Sequence, residues 1–140
     1  MNTNFFSALQ TAIGPVILIS GVGLLLLTMT NRLGRTIDRA RALTSIGHGA
    51  EQQVGNQLTI LLRRARILRA AILLASLSAL LAAIMVILLF FALVLKMEWI
   101  NLIAGIFIAS MMSLIGSLIM FMRDVNQSLG ALLARLPKAN

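Results

Sequence analysis

The fold is decided by residues 70–95, which read AAILLASLSALLAAIMVILLFFALVL and include no charged side chain. About 20 apolar residues in a helix cross the hydrocarbon core of a bilayer. This stretch has 26 residues, so it is long enough to cross with some tilt. It predicts a transmembrane helix.

Two further uncharged runs flank this helix at a distance. Residues 1–31 carry no charge and are mostly apolar from about residue 8, and residues 99–122 are also uncharged. They predict spans at about 8–31 and 101–122, with an outer turn at 96–100 where Trp99 suits the headgroup level. Because arginines follow the first run instead of preceding it, we expect a retained anchor and no cleaved signal peptide.

The composition agrees with a membrane protein. The chain has 140 residues, of which 59% are hydrophobic and 11% are charged. A soluble domain of this size cannot bury so much apolar surface. The predicted fold class is therefore an all-α membrane protein, built as one domain with three transmembrane helices.

The polar block at residues 32–69 predicts a helical hairpin. Apolar side chains recur every three or four residues in two stripes, Leu33-Ile37-Ala40-Thr44 and Val54-Leu58-Leu61-Ala65-Leu68. This spacing is typical of a helix with one apolar face. Because a glycine-containing turn at 44–49 separates the stripes, we expect two antiparallel helices that extend the first and second spans.

The basic residues predict the orientation. The block at 32–69 and the tail at 123–140 hold 11 of the 12 Lys and Arg residues, whereas the outer turn holds only Lys96. Basic loops stay on the cytoplasmic side. We therefore expect a multi-pass protein with its N-terminus outside and its hairpin and C-terminus in the cytoplasm.

The arginines of the hairpin form two helical faces and are the main candidate binding residues: Arg32, Arg35, Arg39, Arg63, Arg66 and Arg69. They fit three roles: orientation, contact with anionic lipid headgroups, or a ring of guanidinium groups at the mouth of an oligomer that favours anions. Nucleic-acid binding is disfavoured because no aromatic residues are interleaved. Asp38 lies among these arginines and is expected to form a structural ion pair.

The first span contains the residues expected to line a pore: Gly14, Pro15, Ser20, Gly21 and Thr28. Proline removes a backbone donor, so a kink or widened turn is expected there. Close helix packing at the glycines is the alternative interpretation.

Small residues at four-residue spacing predict where the second and third spans pack together. The two ladders are Ala71-Ala75-Ala79-Ala83 and Gly105-Ala109-Ser113-Ser117. Small residues let membrane helices approach closely. Since three helices form a thin bundle, we also expect a homo-oligomer.

No group of residues in the sequence forms a recognisable active site. There is no cysteine, one histidine and only four acidic residues, and no paired carboxylate, triad or metal cluster is evident. The sequence therefore predicts no enzyme, no metal and no cofactor. Because no ionisable side chain falls within a span core, an ion-coupled transporter is also disfavoured.

Two functions remain from different classes. The first is a small channel-like pore, lined by the first span and entered through an arginine-lined cytoplasmic vestibule that favours anions. The alternative is a non-conducting scaffold or accessory subunit, whose arginine-rich hairpin binds anionic lipid or a cytoplasmic partner.

Two stretches resemble a bacterial membrane family known only as domain of unknown function 2721. They are IGPVILISGVGLLLLTMTNRLGRTIDRARAL at residues 13–43 and LLRRARILRA at residues 61–70. The most specific part runs from Asn31 to Arg39. The resemblance implies a membrane location and no activity. We expect the membrane to be a bacterial inner membrane.

Overall fold

The computed structural model describes residues 2–45 and 51–136, and nearly all of them lie in three long helices. They are α1 (Asn2–Ser45), α2 (Glu51–Leu95) and α3 (Ile100–Arg135). Each is long and apolar enough to cross a membrane. The prediction of an all-helical, multi-pass membrane protein is confirmed.

The helices α1 and α2 continue far past the predicted spans. α1 has 44 residues and passes through Pro15 and Gly34 without interruption, and α2 has 45 residues. At about 1.5 Å per residue each is roughly 66 Å long, twice the thickness of a hydrocarbon core of about 30 Å. The predicted turn at 44–49 falls mostly outside the described residues, and the assignment of this end to the cytoplasm stays a prediction.

The middle helix, α2, lies between α1 and α3 and packs against both. Contacts between α2 and α3 pair Ala71 with Ser117 and Ser78 with Ser110, so these helices are antiparallel. α1 and α3 run parallel and meet through side chains such as Met29 and Ser117. The three helices converge on a core of Met29, Leu68 and Ala71, each at most 1% exposed.

The buried positions recur every 3.5 residues on average, not every four. On α2 the buried side chains follow a 4-3-4-3 spacing: Ala71, Ala75, Ser78, Ala82 and Met85. On α3, Ser110, Ser117 and Asp124 are buried at intervals of seven. This period is that of helices packed with a left-handed twist.

The predicted ladders of small residues coincide with this interface only in part. Ala71, Ala75 and Ser117 are buried, whereas Ala79, Ala83 and Ser113 are half-buried. Gly105 and Ala109 are exposed, and Ser110 lies in the interface instead. A strict spacing of four advances 400° per step, so it drifts around the helix by 40° each time, away from a straight interface.

Three serines of α3, which we call the serine row, donate hydrogen bonds to backbone carbonyls of α2. These bonds are Ser110 Oγ to Ser78 O (2.9 Å), Ser113 Oγ to Leu74 O (2.7 Å) and Ser117 Oγ to Ala71 O (2.7 Å). Such bonds are possible only where two backbones lie close together. Gly116 lies in the same interface, since a Cβ there would meet Leu74 Cδ1 at 3.5 Å.

The connection between α2 and α3 is a tight turn. Lys96 has a φ of 52°, in the left-handed region, and the Met97 N–H donates to Ala92 O at 3.2 Å. This is the geometry of a Schellman motif, with lysine in the position that glycine usually occupies. The turn reverses the chain within four residues and brings the serine row against α2.

Candidate functional site: an arginine cleft

An open cleft lies between the ends of the three helices, next to the α1–α2 connection. Its volume is about 700 Å³. Residues of all three helices line it: Arg32, Arg35, Thr36, Arg39 and Leu43 from α1, Gln57, Ile60, Leu61 and Arg64 from α2, and Asp124, Ser128, Ala131 and Leu132 from α3. We call it the arginine cleft.

The floor of the arginine cleft is organised by Asp124, which is 2% exposed. Arg32 Nη1 donates to Asp124 Oδ2 at 3.2 Å, and Arg64 Nε donates to Asp124 Oδ1 at 3.3 Å. One carboxylate therefore links α1, α2 and α3. A buried charge is costly unless it is paired and hydrogen-bonded, and two guanidinium groups meet that need here.

Further contacts fix the two floor arginines. Arg64 also donates to the hydroxyl of Ser128, one turn beyond Asp124 on α3. The Arg32 guanidinium carbon lies 5.5 Å from the centre of the Phe121 ring, within range of a cation–π interaction. The side chains of Arg32 and Arg64 are 37% and 17% exposed, so Arg64 is the more enclosed.

The rim of the arginine cleft carries Arg35 and Arg39, and both are exposed. Within the described part of the chain, ion pairs within 4.0 Å involve only Arg32, Arg64 and Asp124. The lining thus contains four arginines and one aspartate, a formal charge of 4 − 1 = +3. Most of the uncompensated positive charge lies at the rim.

The structure distributes the predicted arginines unevenly. Arg32, Arg35 and Arg39 line the cleft together, whereas Arg63, Arg66 and Arg69 are exposed and do not line it. The arginine that α2 contributes to the cleft is Arg64, which was not among the predicted binding residues. The sequence pattern that could have identified Arg64 is its position three residues after Leu61 and four before Leu68. Both leucines belong to the apolar stripe and are buried in the structure.

The ion-paired acid also differs from the one expected. Asp38 is exposed and forms no ion pair within 4.0 Å with any described residue, so Asp124 takes the role predicted for Asp38. The physical reason is the helix face. Arg32 and Thr36 lie four residues apart on the face of α1 that lines the cleft, and Asp38 projects from a different face.

The candidate pore residues of α1 lie mostly on its surface. Gly14, Ser20, Gly21 and Thr28 are exposed, whereas Pro15 is buried. A Cβ at Gly14 or Gly21 would meet nothing within 4 Å, so neither glycine serves close packing within this chain. The hydroxyls of Ser20 and Thr28 donate to carbonyls of their own helix, at Val16 and Leu24, both at 3.1 Å.

Among the described residues no group of three or more His, Cys, Asp or Glu side chains is placed to hold a metal ion. The chemistry that the cleft offers is the recognition of negative charge. Guanidinium groups bind carboxylates and phosphates through paired N–H donors.

The family comparison agrees with the resemblance noted above. A family model described as protein of unknown function (DUF2721) matches residues 12–133, and the chain belongs to this family. The match includes every residue that lines the arginine cleft. No curated protein matches the chain, and no solved structure matches it.

Proposed function

We propose that this protein is a non-conducting membrane scaffold that binds an anionic ligand in the arginine cleft at the cytoplasmic surface of the membrane. The observation that carries the proposal is the assembly of four arginines and one aspartate, from three helices, around an open cavity of about 700 Å³. The ligand would be an anionic lipid headgroup or a charged group of a cytoplasmic partner.

The topology in this proposal rests on charge. The cleft lies at the end of the helices where 11 of the 12 basic residues are found, and such segments stay in the cytoplasm. The N-terminus is then outside. The proposal places the protein in a bacterial inner membrane.

The charge of the two rim arginines favours the binding of an anion. Arg35 and Arg39 lie four residues apart on one helix face, where like charges repel by a few tenths of a kcal/mol. An anion between them removes this repulsion. It also gains charge-assisted hydrogen bonds, which are about twice as strong as neutral ones.

A calorimetric titration tests the proposal. The purified protein, in nanodiscs of zwitterionic lipid, is titrated with inorganic pyrophosphate. We expect saturable binding that weakens at least 10-fold in the double variant Arg35→Gln/Arg39→Gln.

The matched control is Arg63→Gln/Arg66→Gln, which removes the same charge from exposed positions that do not line the cleft. We expect its affinity to stay within about twofold of the wild type. Equal weakening of the two double variants would mean that only net charge matters and would contradict a defined site, as would no binding to the wild type.

A homo-oligomeric channel is the second candidate, favoured by one observation. Gly14, Gly21 and Thr28 lie at seven-residue intervals on one exposed face of α1, and the two glycines have open space beside them. In an oligomer this face would line an axial path, with the arginine clefts at its cytoplasmic mouth. The hydroxyl of Thr28 donates to its own helix, so it would offer only acceptor oxygen to a permeating ion.

A planar bilayer separates the two candidates. A channel conducts, and Arg35→Glu shifts its reversal potential in a salt gradient towards cation selectivity. A bilayer that stays silent across voltage and pH supports the scaffold and contradicts the channel.

A further inference from the structure

The arginine cleft divides into a neutralised floor and a charged rim, and the two parts have different roles. Arg32 and Arg64 at the floor are both bonded to Asp124, so together these three groups carry a charge of +1. Arg35 and Arg39 at the rim carry +2 with no acidic partner among the residues described. A ligand therefore meets two free guanidinium groups at the rim before it reaches the floor.

We infer that this rim binds a phosphate monoester, bridged between the guanidinium groups of Arg35 and Arg39. The inference rests on the proposed function of the cleft and names its ligand class. On one helix, side chains four residues apart are neighbours with Cβ atoms about 5–6 Å apart. Long side chains from both positions can hold one tetrahedral anion between them, each through paired N–H donors.

The charge favours a monoester over a diester. A phosphate monoester carries about −1.5 to −2 at neutral pH and has three terminal oxygens. A diester carries −1 and has two. Two guanidinium groups with no acidic partner among the described residues thus match the monoester in charge, and its three terminal oxygens can accept the paired N–H donors of both arginines.

The walls of the cleft also offer a place for the organic part of such a ligand. Ile60 of α2 and Leu132 of α3 line the cleft and are 59% and 60% exposed. Their exposed apolar surface would be covered by a carbon skeleton attached to the phosphate. An organic monoester is therefore expected to bind better than inorganic phosphate.

The height of the rim makes two sources of the monoester accessible. With about 1.5 Å of rise per residue, Arg35 lies about 4 Å and Arg39 about 10 Å beyond Arg32, the first charged residue after the apolar run. The headgroup layer is about 5–7 Å thick. The rim therefore crosses the outer edge of this layer, where a lipid with a terminal phosphate and a soluble phosphate monoester can both arrive.

Binding of two matched probes tests the inference. Phenyl phosphate and its methyl ester, methyl phenyl phosphate, differ by one methyl group and one ionisation. In zwitterionic nanodiscs at pH 7.5 we expect phenyl phosphate to bind at least 10-fold more tightly. Arg39→Gln should reduce this preference to less than threefold, whereas Arg66→Gln, outside the cleft, should retain it.

Nanodiscs that contain phosphatidic acid, or phosphatidylglycerol at the same charge density, separate the sources. If phenyl phosphate binds more weakly in the phosphatidic acid discs but not in the phosphatidylglycerol discs, the ligand is a lipid monoester. If its binding is unchanged in both kinds of disc, the ligand is a soluble monoester. Either result supports the inference. Equal affinity for the two probes in the wild type would overturn it.

The pyrophosphate and phenyl-probe titrations together distinguish a wrong ligand class from a wrong function. If pyrophosphate binds through Arg35 and Arg39 but the two phenyl probes bind equally, the cleft binds anions without preferring a monoester. If pyrophosphate does not bind, both the function and its ligand class are wrong.

Discussion

The two interfaces that α2 makes with its neighbours differ in chemistry. Towards α3, small side chains bring the backbones close, and the serine row donates three hydrogen bonds to carbonyls of α2. Towards α1, larger side chains such as Met29, Leu33 and Leu68 fill the space. No side-chain hydrogen bond joins α1 to α2 within residues 2–45 and 51–136.

This difference shows how each helix is held. Hydrogen bonds to carbonyls fix the register of α3 on α2, since a shift of one residue would break all three. Apolar packing alone fixes the register of α1 on α2 less strictly. Lipid solvates hydrocarbon side chains as well as a neighbouring helix does, so a shift of α1 along α2 loses packing contacts but no hydrogen bonds. α1 has one ion pair to fix its position, between Arg32 and Asp124. We therefore expect α1 to be the most mobile of the three helices.

The largest effect is expected where α2 and α3 lie closest. Ser110 is fully buried and bonded to Ser78, so Ser110→Leu forces a large side chain between two backbones. Overpacking and the lost hydrogen bonds together should lower the free energy of unfolding by about 3 kcal/mol. Denaturation by SDS in mixed micelles measures this.

Ala109→Leu is the control for this substitution. Ala109 is adjacent in sequence, lies about 100° around α3 from Ser110 and is exposed, so its replacement should change stability by less than about 0.5 kcal/mol. Equal destabilisation by the two variants would mean that the interface does not run through Ser110.

A smaller effect is expected at the ion pair that holds α1. Asp124→Asn leaves two guanidinium groups without a counter-charge and should cost about 2 kcal/mol. This is below the value of about 3–5 kcal/mol for fully buried pairs, because Arg32 is partly exposed. The same denaturation assay measures it, and hydrogen exchange should increase in α1 more than in α3.

Asp38→Asn removes the same charge from an exposed position. It should leave stability within about 0.5 kcal/mol of the wild type and leave exchange in α1 unchanged. If Asp38→Asn were the more damaging of the two, the assignment of the structural ion pair to Asp124 would be wrong.

The smallest effect is expected at the turn that joins α2 to α3. Lys96 has a φ of 52°, which a residue with a Cβ adopts at a cost and glycine adopts freely. Lys96→Gly should therefore raise the free energy of unfolding by about 0.5–1 kcal/mol, again by SDS titration. Lys96→Ala, which keeps the Cβ, should give no gain, and a loss with glycine would contradict the strained turn.

The sequence predicted the three helices because long uncharged runs have one stable solution in a bilayer. It predicted the interface between α2 and α3 less well. Alanines at 71, 75, 79 and 83 suggest a period of four, and only packing against a neighbour shows that Ser78 and Ala82 replace the last two. Both periods fit the same composition, so the interface depended on the partner helix.

Only the α1 wall of the arginine cleft could be predicted from the sequence. The spacing of Arg32, Arg35 and Arg39 identified the α1 wall, because neighbours on a helix face can be read along the chain. Asp124 is 92 residues from Arg32 in the sequence, and nothing local connects them. Its position seven residues after Ser117 and fourteen after Ser110 was the one available sign that it faces inward.

The unbroken course of α1 has a mechanical consequence. The same helix carries the rim arginines at one end and the exposed face of Gly14 and Gly21 at the other, and no loop or break separates them between Asn2 and Ser45. Because a continuous α-helix is stiff, a tilt or rotation of α1 at the cleft also moves its other end. A ligand at the rim that changed the orientation of α1 would therefore also move Gly14 and Gly21, which lie within the apolar run of the same helix.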